Sequence, residues 1–279
     1  MTNPLPVVLV HGFWHGSWCW SPVTEQLAAR GVQSVAVDLE GHGLRGPAPR
    51  AAWTRPFDAE AFATEKSPVA TVTASSAAAL LAEQVRAIGG GRPCLVVAHS
   101  MGGVVATALA ELAPELVGGL VYVAAYAPVS GQPAAFYNTC PEAEGGQSLP
   151  LLAADPELVG AARIDFGDPD RHEEVKDCFC HDVDDRTAAA VIALLSPDGP
   201  LGIPAEELTI TPERYGSVPH SYVVCTKDNA IPIALQQRFI TEIDAVSAAP
   251  TTVTELDSSH SPFLSQPAAL AEAIAKAAV

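Results

Sequence analysis

Short runs of apolar, mostly β-branched residues alternate along this chain with longer stretches rich in Ala and Leu. This rhythm is typical of βα units, in which parallel strands are covered by helices on both faces. It predicts six strands, at Leu5–Val10, Gln33–Asp38, Cys94–Ala98, Gly119–Ala124, Ser221–Cys225 and Thr251–Leu256. It predicts helices at Pro22–Arg30, Val72–Ile88, Met101–Leu112, Ile231–Val246 and Pro267–Ala277. The expected fold class is α/β, with a mostly parallel central sheet of about six strands.

The alternation stops between residues 126 and 210, where Pro, Gly and acidic residues separate short helical pieces such as Glu173–Cys180 and Arg186–Leu195. This segment holds 16 acidic and 4 basic residues, so it carries most of the net charge of −17. An insertion here would lie above the carboxyl ends of the strands, where parallel sheets bind ligands. We therefore expect a core formed by residues 1–125 and 211–279, and a mainly helical cap formed by residues 126–210.

The composition narrows the choice of partners and compartment. The net charge of −17 disfavours nucleic acid and anionic membrane surfaces, which would repel the chain. No apolar run has membrane-spanning length, and no basic n-region or cleavage site precedes His11. Six cysteines are scattered along 279 residues, a pattern that favours reduced thiols. We expect a cytoplasmic protein, monomeric or homodimeric, that binds neither nucleic acid nor membrane.

The motif Ala98-His99-Ser100-Met101-Gly102-Gly103 joins a predicted strand to a predicted helix through a serine flanked by small residues. This context is typical of a nucleophile elbow, whose strained turn exposes the serine hydroxyl. Ala98 and Gly102 provide the small side chains that the turn needs, although the usual motif has Gly in place of Ala98. The alternative is that Ser100 only caps the following helix.

A serine hydroxyl needs a base to remove its proton and a carboxylate to orient that base. Asp228 follows one late strand and His260 follows the next, which gives the order Ser, acid, His. Asp257 competes for the role of acid, but it is only three residues from His260 and would have to fold back to reach the imidazole. The sequence thus predicts a triad of Ser100, Asp228 and His260.

Acyl transfer also needs hydrogen-bond donors for the developing oxyanion. The backbone amides of Met101, after the nucleophile, and Phe13, after the first strand, are the candidates. The aromatic loop from His11 to Trp20 could instead only pack on the core, and we interpret His11 and His15 as residues that hold this loop. Phe13, Trp14 and Tyr126 are the candidate substrate-binding residues.

Other patterns favour structural roles. The segment from Asp38 to Gly43 is typical of a tight turn, and Gly89-Gly90-Gly91 is typical of a helix end. Cys178-Phe179-Cys180-His181 lacks the two-residue spacing of zinc motifs and has no second cluster. We expect no metal and no cofactor. His172, His181 and His220 are interpreted as surface residues.

Several segments together resemble the plant methylesterase and hydroxynitrile lyase family and its bacterial esterase relatives, and the similarity spans nearly the whole chain. They are His11–Trp20, Ala98–Gly103, Glu213–Val218, Val224–Asp228 with Ile231-Pro232, and Ser259-His260 with Pro267. The resemblance implies the α/β-hydrolase fold, the triad Ser100, Asp228 and His260, and an oxyanion hole at Phe13 and Met101.

Two departures from the lyases of that family bear on function. Those lyases have a Lys directly after the catalytic His and a Thr after the first-strand His, where this chain has Ser261 and Gly12. Without an ammonium group to stabilise cyanide, ester hydrolysis is favoured over lyase chemistry. The expected substrate is a small or medium, mainly apolar ester: a methyl ester, an aryl ester or a lactone. Cyanohydrin cleavage and ligand binding with little turnover are the alternatives.

Overall fold

Two sheets organise the chain in the computed structural model, which describes residues 4–279. The strands are β1 (Val7–Val10), β2 (Ser34–Val37), β3 (Cys94–His99), β4 (Val117–Val123), β5 (Ala161–Arg163), β6 (Asp198–Pro200), β7 (His220–Cys225) and β8 (Thr252–Leu256). Six of them form the main sheet in the order β2-β1-β3-β4-β7-β8, and every neighbouring pair is parallel. The predicted six-stranded parallel sheet is confirmed.

Helices cover this sheet on both faces. They are α1 (Ser21–Ala29), α2 (Ala59–Thr64), α3 (Ala74–Gly89), α4 (Gly102–Leu112), α5 (Ala134–Tyr137), α6 (Pro156–Val159), α7 (His172–Cys180), α8 (Asp185–Leu194), α9 (Gly202–Ala205), α10 (Ile233–Val246), α11 (Pro262–Ser265) and α12 (Pro267–Ala277). The five long helices predicted outside residues 126–210 all form, with ends that differ by no more than two residues from the sequence prediction.

The two hydrophobic cores follow directly from the alternation of side chains along a strand. Val8 and Val10 of β1 face one core, which α3, α4 and α10 complete. Val7 and Leu9 face the other, which α1 and α12 complete. Because both faces of β1 are buried, its sequence is continuously apolar rather than alternating.

Residues 126–210 contain short helices together with the antiparallel pair β5–β6, which the sequence pattern did not predict. Arg163 on β5 forms a buried ion pair with Asp198 on β6, with Nε 2.6 Å from Oδ1 and Nη2 2.8 Å from Oδ2. The remaining terminal nitrogen of Arg163 donates to the carbonyls of Phe62 and Glu65. This pair therefore joins the small sheet to the α2 region of the chain.

The loop between residues 43 and 68 runs largely over the surface, with Leu44 and Trp53 strongly exposed. It also contains α2, whose Phe62 is buried. Within residues 4–279, no helix combines the length and apolar character that crossing a bilayer would require.

Candidate active site

Ser100 sits in a sharp turn between β3 and α4. Its φ angle is +52°, a left-handed conformation that is uncommon for residues other than glycine and stores strain. The turn brings α4 so close to neighbouring backbone that a Cβ on Gly102 would lie 2.2 Å from the carbonyl oxygen of His11. Within the described residues, no side chain caps the first turn of α4. The geometry thus favours the elbow over the capping alternative for Ser100.

Asp228 and His260 meet at the ends of β7 and β8. His260 Nδ1 lies 2.7 Å from Asp228 Oδ2, and both side chains are buried. The other carboxylate oxygen of Asp228 accepts hydrogen bonds from the backbone N–H groups of Ala230 and Ile231, at 2.7 and 2.8 Å. Since the carboxylate accepts a hydrogen bond from Nδ1–H, the proton of the neutral imidazole stays on Nδ1, and Nε2 is left unprotonated.

The competing acid, Asp257, is turned away from the imidazole. It is exposed and pairs with Lys227, with Oδ2 2.8 Å from Nζ, and this ammonium lowers the pKa of the Asp257 carboxyl. The structure therefore brings Asp228, and not Asp257, to His260.

Ser100 and His260 line the same cavity. No hydrogen bond joins the Ser100 hydroxyl to the His260 ring in the part of the chain that the structure describes. In unliganded enzymes such bonds are often long and tighten only when substrate binds. The structure thus joins Asp228 to His260, and it places Ser100 and His260 in the wall of the same cavity.

Phe13 and Met101, the two residues expected to form the oxyanion hole, both lie at the cavity. Neither backbone amide donates a hydrogen bond to an acceptor within residues 4–279. Gly12 lies against the nucleophile, since a Cβ there would be 2.6 Å from Ser100 Cβ. A side chain at position 12 would therefore require Ser100 or the loop that carries Gly12 to shift.

Buried histidines hold the loop that carries Phe13. His11 Nε2 accepts a hydrogen bond from the Leu39 amide at 3.1 Å, so its Nδ1 carries the proton and donates to the Gly12 carbonyl at 2.8 Å. His15 Nδ1 lies 2.9 Å from the Phe13 carbonyl, and burial lowers the pKa of this imidazole to about 3. Both contacts agree with the structural role expected for His11 and His15.

His99 is a neighbour of the base that sequence reasoning did not assign. Its Nε2 lies 2.8 Å from the His260 carbonyl, which only accepts, so Nε2 carries the proton. The two rings lie 4.5 Å apart, and burial holds the pKa of His99 well below its usual value. His99 directly precedes Ser100 in the motif, and this adjacency was the one signal in the sequence that could have identified it.

The cavity above Ser100 has a volume of about 120 Å³ and mainly apolar walls. Phe13, Trp14 and Tyr126, the three predicted substrate-binding residues, all line it. The Tyr126 hydroxyl donates to Asn138 Oδ1 at 2.6 Å, and burial raises the pKa of the phenol. None of the residues lining the cavity is Asp, Glu, Lys or Arg. The space around the serine is therefore suited to an uncharged molecule.

Trp14 connects the oxyanion loop to residues 126–210. Its indole N–H donates to the Ala162 carbonyl at 2.8 Å, and its own carbonyl accepts from the Ser196 amide at 2.8 Å. Its φ angle of +63° turns the backbone so that both contacts form. The loop that carries Phe13 and residues 126–210 are thus joined by hydrogen bonds at the cavity wall.

The interpretation of His220 as a surface residue is wrong. The side chain is buried, its ring lies 4.4 Å from that of Tyr215, and burial lowers its pKa to about 4. His220 is the first residue of β7, and its ring packs between the side chains of Tyr215 and Tyr122, with Nδ1 3.1 Å from Ser247 Oγ. His172 and His181 are half-buried. Residues 4–279 contain no group of three or more His, Cys, Asp or Glu side chains placed to hold a metal ion.

Known proteins resemble this chain over nearly its full length. Methylesterase 7 of Arabidopsis thaliana is 28% identical over 276 residues, which cover 95% of this chain and 93% of that protein. Methyl jasmonate esterase 1 of Vitis vinifera is 26% identical over 279 residues, which cover 93% of this chain and 91% of that protein. The fold also matches that of a pyrethroid hydrolase from Sphingobium faniae, with a TM-score of 0.77, 24% identity and coverage of 98% and 97% of the two chains. Residues 7–273 match the alpha/beta hydrolase family, and the chain therefore belongs to that family.

Proposed function

We propose that this protein hydrolyses neutral carboxylic esters through a covalent acyl-enzyme on Ser100. The observation that carries the proposal is the buried contact of 2.7 Å between Asp228 and His260, at a cavity that Ser100 also lines. The methylesterase relatives support the same reaction class.

In the proposed reaction His260 Nε2 removes the Ser100 proton as the serine oxygen attacks the acyl carbon. The negative charge that develops on the carbonyl oxygen is stabilised by the amides of Phe13 and Met101. The imidazolium then returns the proton to the departing alcohol, which leaves an ester on Ser100. Water, deprotonated by His260, then attacks this ester, and the imidazolium returns the proton to the Ser100 oxygen as the acid departs. Asp228 stabilises the imidazolium in both halves of the cycle.

We propose residues 126–210 as the cap of this site. In support, this segment supplies most of the cavity wall, including Tyr126, Asn138, Leu152 and Phe179. Trp14 attaches it to the loop that carries the Phe13 amide. Substrate selection would therefore depend on cap side chains, while the reacting groups come from the core.

The proposed substrate is an uncharged small molecule, because no charged side chain lines the cavity to bind a carboxylate or an ammonium group. A volume of about 120 Å³ is comparable to the roughly 150 Å³ cavity that accommodates benzene. Methyl esters, aryl esters and small lactones fit these requirements. All six cysteines are unpaired and buried, which supports a reducing compartment such as the cytoplasm.

Lyase chemistry is less well supported. Ser261 follows His260, and the absence of Lys from the cavity lining leaves no ammonium to stabilise cyanide there. The other alternative is a ligand-binding protein with little turnover. In such a protein Ser100 would be unreactive, whereas in an esterase it would be a nucleophile.

Replacement of Ser100 tests the proposal. Ser100→Ala should abolish hydrolysis of 4-nitrophenyl acetate. It should also abolish labelling by a fluorophosphonate, which is measured by intact-protein mass spectrometry. Ser217→Ala, at an exposed serine, is the matched control and should retain both. Unchanged hydrolysis in Ser100→Ala would reject the mechanism, and a wild-type protein that neither hydrolyses esters nor reacts with fluorophosphonate would favour ligand binding.

A further inference from the structure

The end of α7 and the turn after it contact both loops that carry the proposed acid and base. This segment, residues 177–182, belongs to the proposed cap. We call it the clamp. Its side chains and carbonyls form hydrogen bonds to residues that flank Asp228 and to the residue that precedes His260.

On the acid side, the clamp holds both sequence neighbours of Asp228. His181 Nε2 lies 2.8 Å from the Lys227 carbonyl and donates to it. The side-chain amide of Asn229 donates to the Asp177 carbonyl at 2.9 Å. The position of the Asp228 loop is therefore coupled to the clamp from both sides.

On the base side, the contact is a charge-assisted hydrogen bond. Asp182 Oδ2 accepts from the Ser259 amide at 2.8 Å. Ser259 Oγ lies 3.4 Å from the Phe179 carbonyl, and the Phe179 ring lies 6.0 Å from the His260 ring. Asp182 is the only acceptor that the Ser259 amide finds within residues 4–279.

We propose that Asp182 is a positioning residue for the reaction, and that through it the cap fixes the base. The proposal rests on the proposed function. Hydrogen bonds to charged groups are stronger than neutral ones, and Ser259 is directly bonded to His260 in the chain. Release of Ser259 lets the base loop shift, and a displacement of about 1 Å in an active site can cost up to about a hundredfold in rate.

Asp182 does not line the cavity, so its loss should affect the chemical step and not substrate binding. This expectation distinguishes a role of Asp182 in positioning the base from a general loosening of the cap. A cap that had loosened as a whole would also change the walls against which the substrate packs. The two cases therefore differ in whether KM changes together with kcat.

The test compares Asp182→Ala with Asp182→Asn, using 4-nitrophenyl acetate. Asp182→Ala should lower kcat by about tenfold or more with KM changed by less than about twofold, and should slow fluorophosphonate labelling of Ser100 by a similar factor. Asp182→Asn keeps an oxygen that can accept from the Ser259 amide, and should recover kcat to within about threefold of wild type. Asp185→Asn, which removes an exposed charge just beyond the clamp, is the control and should behave as wild type.

Wild-type kcat in Asp182→Ala would overturn the proposal, as would an Asp182→Asn variant impaired as strongly as Asp182→Ala. A rise in KM that accounts for the whole loss would also overturn it. If Asp182→Ala does not fold, Asp182→Asn decides the question, because a kcat about tenfold or more below wild type in that folded variant contradicts positioning through an accepted hydrogen bond. Failure of the proposed function is recognised separately, because Ser100→Ala would then retain wild-type hydrolysis.

Discussion

Asp228 holds His260 through one carboxylate oxygen while its other oxygen is fixed by the backbone of residues 230 and 231. The acid is thereby oriented by the turn that follows it. The imidazole donates from Nδ1 to the carboxylate, at 2.7 Å, and this hydrogen bond selects the tautomer in which Nε2 carries no proton.

Asp228→Asn should leave the fold intact, because the amide oxygen can still accept from the Ala230 and Ile231 N–H groups. Its NH₂ group then faces Nδ1 and favours the wrong tautomer of His260. We expect kcat for an aryl acetate to fall by roughly 10³- to 10⁴-fold. Asp257→Asn, at the exposed alternative acid, should change kcat by less than about threefold, and a reversed order of the two effects would refute the assignment.

Gly12→Ala should impair catalysis through a steric effect on the nucleophile. The new Cβ would lie 2.6 Å from Ser100 Cβ, so either the serine or the loop that carries the Phe13 amide must shift. We expect kcat/KM to fall at least tenfold, since active-site rates respond strongly to displacement. Gly167→Ala, at an exposed position, provides the control. Full activity in Gly12→Ala would show that this contact does not constrain Ser100.

The distribution of charge predicts a preference among substrates. The protein carries a net charge of −17, residues 126–210 hold 16 of its 32 acidic groups, and no Lys or Arg lines the cavity. For aryl esters matched in size, a neutral acyl chain should give a higher kcat/KM than one that ends in a carboxylate. Added salt should narrow the difference, because it screens the negative field. An anionic ester that is equally good at low salt would contradict this prediction.

Buried histidines should make the fold sensitive to acid. Burial lowers the pKa of His15 and His42 to about 3 and that of His220 to about 4, against about 6.5 in an unfolded chain. Between these values the unfolded chain binds protons that the native state does not. The free energy of unfolding should therefore decrease as the pH falls below about 6.5, by up to about 1.4 kcal/mol per pH unit for each such histidine.

His220→Phe isolates one of these contributions. The substitution keeps a ring against Tyr215 and removes the titrating group. The free energy of unfolding is measured with urea from pH 4 to 7. It should fall less steeply toward low pH in the variant than in wild type, by a slope that corresponds to up to one bound proton. An unchanged slope would mean that His220 is protonated to the same extent in both states.

Apolar runs in the sequence predicted the main strands well, because a strand that is buried on both faces consists mostly of apolar residues. Runs such as Val7–Val10 and Cys94–His99 are apolar because both of their faces are covered, and strands of this kind are recognisable from composition. The pair β5–β6 was missed because its strands are three residues long and include Gly199 and Pro200. The ion pair between Arg163 and Asp198 joins these strands, and it is a contact between parts of the chain that lie far apart in sequence.

The sequence by itself determined the order of strands and helices, the turn at Ser100, and the succession of serine, acid and histidine along the chain. These features follow from hydrophobic periodicity and from backbone geometry over a few residues. Only the tertiary structure decided that His220 is buried and that Asp182 holds the residue before the base. The directions of loop side chains depend on packing between segments far apart in sequence, and no local pattern records that packing.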